Sequence, residues 1–148
     1  MPMSSIPVLP TSPLCKDNLR YVLAACWSST RQSQIAQPDL EESLPSPAAR
    51  RTAQQWAIAA SLLDEQGLTP EGQLVATKDP YLEATVTDWL IHFNLSQNDR
   101  SLWHYVVYDF LPEHSSFTLD ELLNGCIEGF TTASPDRSKK HLRLILRT

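Results

Sequence analysis

The sequence predicts an all-α fold, a helical domain with helix-turn-helix-like elements and room for one small β-wing, and three observations carry that prediction. Apolar residues recur at three- and four-residue spacing along most of the 148-residue chain. Polar cap residues stand directly before prolines or acids at several points, which is how helices ordinarily begin. Four glycines against eleven prolines leave little for the tight turns of a hairpin-rich fold.

Residues 1–13 contain Pro2, Pro7, Pro10 and Pro13 with little amphipathic pattern and read as an extended or disordered arm. A first helix is expected near Lys16 to Ser28, with Leu19, Val22, Leu23, Cys26 and Trp27 on one stripe. Cys15 and Cys26 fall near that stripe and read as core thiols. The stretch 33–44 is ambiguous, a short helix interrupted by Pro38. Ser46-Pro47 opens the next helix, expected to run to Asp64 or Glu65 and to stop at Gly67. Its apolar stripe is Ala49, Ala53, Trp56, Ala60 and Leu63, and its opposite side presents Arg50, Arg51, Gln54 and Gln55. Residues 68–76 are turn-rich, a β-wing or a further helical turn.

Asp79-Pro80-Tyr81-Leu82-Glu83 repeats the start signal, with Asp79 as cap, and leads into a helix whose buried face is expected to be Leu82, Val86, Trp89, Leu90 and Phe93. Asn98-Asp99 begins another, carrying Leu102, Trp103, Tyr105, Val106 and Phe110 and closed by Pro112. Thr118-Leu119-Asp120-Glu121 is a capping box, after which Leu119, Leu122, Leu123, Cys126, Ile127 and Phe130 are expected to form one helical stripe. Ser134-Pro135-Asp136 starts a final helix with Leu142, Ile145 and Leu146 on one side and Lys139, Lys140, Arg143 and Arg147 on the other; a strand with alternating leucines is the competing assignment. The expected core is Trp56, Leu63, Leu82, Trp89, Leu90, Phe93, Val106, Phe110, Leu122 and Ile127. The organisation is then an arm (1–13), an N-terminal helix-turn-helix-like subdomain (14–78) and a C-terminal helical subdomain ending in a basic helix (79–148).

Composition narrows the function. Hydrophobic residues at 42% and charged residues at 20% fit a globular chain, and no apolar run approaches membrane-spanning length. Three cysteines without metal-ligand spacing, and an N-terminus without a basic region ahead of an apolar run, point to the reducing cytoplasm. The net charge of −5 hides an asymmetry: residues 136–148 hold Arg137, Lys139, Lys140, Arg143 and Arg147 against Asp136, a charge of +4, leaving −9 on residues 1–135.

Two segments have the layout of a helix braced behind a second helix with a polar or basic front. In the first, Arg50 and Arg51 suit phosphates or guanine and Gln54 and Gln55 suit adenine edges, although acids outnumber bases between Thr30 and Lys78. In the second, residues 118–147, the basic helix comes last and its five bases would neutralise several phosphates. Catalytic patterns are thin. Asp79 and Glu83 are explained by capping, and His92 and His104, with Asp88 and Asp109 nearby, lack a metal-binding spacing. Phosphate-loop, dinucleotide and nucleophile-elbow motifs do not occur, so neither an enzyme, a metal nor a cofactor is expected.

The strings Leu68-Thr69-Pro70-Glu71-Gly72, Asp79-Pro80-Tyr81-Leu82-Glu83 and Thr87-Asp88-Trp89-Leu90-Ile91-His92-Phe93-Asn94-Leu95, with Leu102-Trp103-His104-Tyr105 through Phe110 and then Phe117-Thr118, resemble a bacterial family, domain of unknown function 4007, over residues 48–147. The resemblance implies helical, helix-turn-helix-like modules encoded near DNA phosphorothioation or phage-defence genes, with no assigned catalytic residue. Ala84-Thr85 replaces an acid-proline pair frequent in that family, and the chain ends where similar proteins continue.

The expectation is therefore a non-enzymatic DNA-binding accessory or regulator of a DNA-modification or defence system, with double-stranded DNA as partner. The alternative is an adaptor that docks a co-encoded defence or modification protein through its acidic or aromatic surface. Duplex reading favours a homodimer, for which Trp103, Val107 and Tyr108, outside the main stripe, are the expected interface.

Overall fold

The computed structural model describes residues 13–30, 45–97 and 102–129. Their regular elements are helices apart from one two-stranded hairpin, as the all-α prediction requires. By their contacts they divide into two compact units, one of Leu14–Asn94 and one that joins Pro13 with the residues from Leu95 onward. No helix among the described residues is long and apolar enough to cross a membrane.

In the first unit α1 (Lys16–Thr30) buries Leu19, Val22 and Leu23 and packs on α2 (Pro47–Ala59) and α3 (Pro70–Lys78). Cys26 is half-buried, but Cys15 precedes the first turn and is exposed, so only one of the two expected core thiols lies near the core. α2 stops at Ala59, earlier than expected. Leu62 N–H donates to the Ala57 carbonyl at 2.8 Å and Ser61 takes a left-handed φ of 58°, the usual way a helix is closed. The next residues then pair as the antiparallel strands β1 (Leu63–Asp64) and β2 (Gly67–Leu68). This hairpin occupies 63–68, where the end of the helix was expected, while most of the stretch 68–76, read as a β-wing or a further helical turn, is helical in α3. Asp64 Oδ1 accepts from Gln66 N–H at 2.8 Å, and Gly67, at φ +121°, closes the turn in a conformation that side chains resist. Thr69 caps α3 through Gly72 N–H (3.0 Å) and also donates to the Ser61 carbonyl (2.6 Å), tying the hairpin ends together.

Asp79 ends α3 instead of opening the next helix, which begins six residues later as α4 (Thr85–Gln97). Its carboxylate accepts from Glu83 N–H (3.0 Å) and Ala84 N–H (3.1 Å), so it still caps free donors ahead of α4. Leu82 is buried there at a left-handed φ of 53°, and Lys16 Nζ holds the loop by donating to the Leu82 carbonyl (3.3 Å) while pairing with Asp88 (2.5 Å).

The face of α4 differs from expectation. Thr87, Ile91 and Leu95 are buried, whereas Val86, Trp89 and Phe93 are 74, 65 and 55% exposed. The cause is polar. Thr87 hydrogen-bonds the Asp79 carboxylate, and Asn94 Nδ2 donates to the Ala60 carbonyl, both from the side that is buried. On a helix whose apolar residues fall on more than one side, these anchors decide which stripe turns inward.

In the second unit a helix runs from α5 (Leu102–His104) through a π-helical segment (Tyr105–Phe110) to α6 (Leu111–Glu113). Pro112 lies inside it rather than closing it. In an α-helix its ring would press on the carbonyl four residues back; the wider π turn relieves this, with Leu111 N–H donating to the Val106 carbonyl five back. Phe110 is buried, stacked on His114 (centroids 4.0 Å) and met edge-on by Phe117 (5.1 Å). α7 (Leu119–Gly129) opens with the predicted capping box: Thr118 Oγ1 accepts from Glu121 N–H, and Glu121 Oε2 accepts from Thr118 N–H at 2.6 Å. Leu122, Leu123 and Cys126 are buried beneath it. Of the expected core, Trp56, Leu63, Leu82, Phe110 and Leu122 are buried, Leu90, Val106 and Ile127 half-buried, and Trp89 and Phe93 outside. The stretch 33–44, residues 1–12 of the expected arm and the segment expected to form a basic C-terminal helix fall outside the described residues.

Candidate nucleic-acid interface

α2 is set up by its first turn. Ser46 Oγ accepts from Ala49 N–H at 3.1 Å, Pro47 occupies the first helical position, and Arg50 N–H reaches the Ser46 carbonyl at 2.9 Å. With the start fixed, Ala53, Trp56 and Ala57 face inward and Trp56 is 1% exposed. Arg50, Arg51, Gln54 and Gln55 are then all exposed, on the side the sequence assigned to them. Neither arginine helps the helix. Cations near a helix N-terminus oppose its dipole, and α2 has no acid in its first turn to compensate.

The charge along this element is polarised. The arginines lie near its N-terminal end, while Asp64 and Glu65 sit exposed on the hairpin that follows, beyond a helix about 20 Å long. A polyanion would therefore be met by the N-terminal half of α2 and held off the hairpin turn.

The other predicted contacts, Arg137, Lys139, Lys140, Arg143 and Arg147, lie outside the described residues. Trp103 and Val107 are half-buried, and only Tyr108, of the three residues expected at a dimer interface, is well exposed (49%). Its hydroxyl accepts from Gln97 Nε2 at 3.3 Å and its ring leans on His104, whose Nδ1 lies 2.8 Å from the Ser96 carbonyl.

His92 meets Trp89 edge-on. Among the described residues no group of three or more His, Cys, Asp or Glu side chains is placed to hold a metal. Sequence periodicity missed the exposed stripe Val86, Trp89 and Phe93; the residue that sets the opposite side inward is Asn94, through its bond to the Ala60 carbonyl.

A family model described as a protein of unknown function (DUF4007) matches residues 51–143. No curated protein and no solved structure matches the chain.

Proposed function

Since the chain belongs to the DUF4007 family, whose description assigns no activity, its role has to be read from its own surface, and we propose that it is a non-enzymatic DNA-binding accessory or regulatory protein. The observation that carries this is the exposed Arg50, Arg51, Gln54 and Gln55 face of α2, braced from behind by α1 and followed by a β-hairpin. Arginines supply phosphate affinity and glutamines read base edges. The five bases of residues 136–148 add the sequence-independent part of the affinity. The setting inferred from the resemblance is a bacterial DNA-modification or phage-defence system in the cytoplasm.

Anisotropy titration of a labelled duplex tests it. Binding is expected at low salt and to weaken steeply as salt rises. Neutralising Lys139, Lys140 and Arg143 together should flatten that dependence, while Arg50→Ala with Arg51→Ala should lower affinity about tenfold or more. A chain that binds no duplex at low salt refutes the reading.

The exposed Val86, Trp89 and Phe93 face favours a second reading, an adaptor for a co-encoded protein, because large exposed aromatics make interface anchors. Pull-down of co-encoded proteins that survives Trp89→Ala unchanged counts against it.

A further inference from the structure

We propose that the basic C-terminal segment, residues 136–148, docks on the acidic, apolar-studded surface running from Tyr108 to Glu121 in its own unit, an intramolecular clasp. Between those two positions every residue except Phe110 is exposed. Tyr108, Leu111, Phe117 and Leu119 are 49, 41, 41 and 50% exposed, an unusual density of apolar surface for so short a stretch. Asp109, Glu113, Asp120 and Glu121 interleave with them, and no lysine or arginine occurs from Leu102 to Gly129. The segment that follows carries the complement: Lys139, Lys140, Arg143 and Arg147 spaced among Leu142, Ile145 and Leu146.

Tether length permits the return. α7 is about 16 Å long, and the eight residues from Gly129 to Arg137 can span up to about 26 Å. The bases can thus reach back past the start of α7. A short tether also holds them near the surface at a local concentration in the millimolar range.

The clasp does not depend on the duplex reading, but it draws on the same five bases, so a bound duplex and the clasp exclude each other. The protein would then be restrained by its own surface until a denser polyanion displaces it.

Zero-length carbodiimide coupling tests this on the full chain, using an equal mixture of isotope-labelled and unlabelled protein read by peptide mass spectrometry. Lys139 or Lys140 is expected to join Asp109, Glu113, Asp120 or Glu121 within one chain, with a yield several-fold lower in about 0.5 M salt. Coupling only between chains, only to carboxylates of residues 14–94, or nowhere overturns the clasp. Hydrogen exchange gives a readout free of lysine chemistry: the combined Lys139→Glu, Lys140→Glu and Arg143→Glu variant should exchange several-fold faster at residues 105–113 and unchanged at 47–59. Equal rates at 105–113 in both proteins overturn it too. Neither measurement contains DNA, so loss of the duplex reading leaves the result intact.

Discussion

Asn94 Nδ2 donates to the Ala60 carbonyl at 2.8 Å, and this single bond joins the residue just past α2 to the next-to-last turns of α4. It fixes the rotation of α4 and predicts a sharp contrast in mutant stabilities. Ile91→Ala should cost about 2 to 5 kcal/mol. Trp89→Ala, although the larger truncation, should stay within about 0.5 kcal/mol. Urea unfolding midpoints check this, and a Trp89→Ala cost equal to that of Ile91→Ala would reverse the assigned face.

Gly72 sits where α3 crosses the end of the loop before β1. A Cβ there would collide with the Leu62 carbonyl oxygen and stand 3.1 Å from Leu68 Cδ2. The obstacle is backbone, so it cannot rotate away. Gly72→Ala should destabilise by about 1 to 3 kcal/mol, although alanine is the better helix former, and thermal melting reads the sign directly.

Acid should weaken the fold through two carboxylates. Burial pushes the Asp79 carboxyl up, but hydrogen bonds from the Thr87 hydroxyl and from Glu83 and Ala84 N–H, with the charge of Lys16, together hold it below its ordinary value. Thr118 N–H and hydroxyl lower Glu121 likewise. A group held lower in the folded state takes up its proton more readily once unfolded. Its contribution is therefore complete above the usual carboxylate range and is lost as pH falls through the lowered folded value. Urea midpoints should be level from pH 7 to about pH 5 and decline below it, with a shallower decline in Asp79→Asn.

Thiol chemistry should separate the three cysteines. Burial pushes Cys126 up to about 11 and raises Cys26, whereas Cys15 is exposed. Only thiolates attack disulfide reagents. Near neutral pH one thiol of the native protein should react quickly and be lost in Cys15→Ser, with Cys126 reacting only on unfolding. Rapid native labelling of Cys126 would contradict the packing of α7.

What was legible in the sequence was local chemistry. Ser46-Pro47 and Thr118-Glu121 announce their helices because cap and acceptor lie within one turn, and the polar face of α2 follows once its start is fixed. The hairpin was hidden because Leu62 and Leu63 continue the helical spacing of Trp56 and Ala60, and only the backbone of Ser61 interrupts it. α4 was misread because its outward and inward stripes are comparably apolar, so long-range bonds from Thr87 and Asn94 chose between them. Asp79 carries a start signal yet ends a helix, since its carboxylate can cap donors across a turn as well as directly after itself.

The π turn before Pro112 has a hereditary consequence. A π turn holds about one residue more than the α turn it replaces, so a one-residue deletion between Tyr105 and Phe110 would leave the flanking turns in phase. The same deletion within α7 would swing the rest of that helix by about 100°. In the shortened helix, however, the proline ring again meets the carbonyl four residues behind it. Chain length in this stretch and the identity of residue 112 are thus epistatic: loss of a residue is tolerated only where the proline is lost with it.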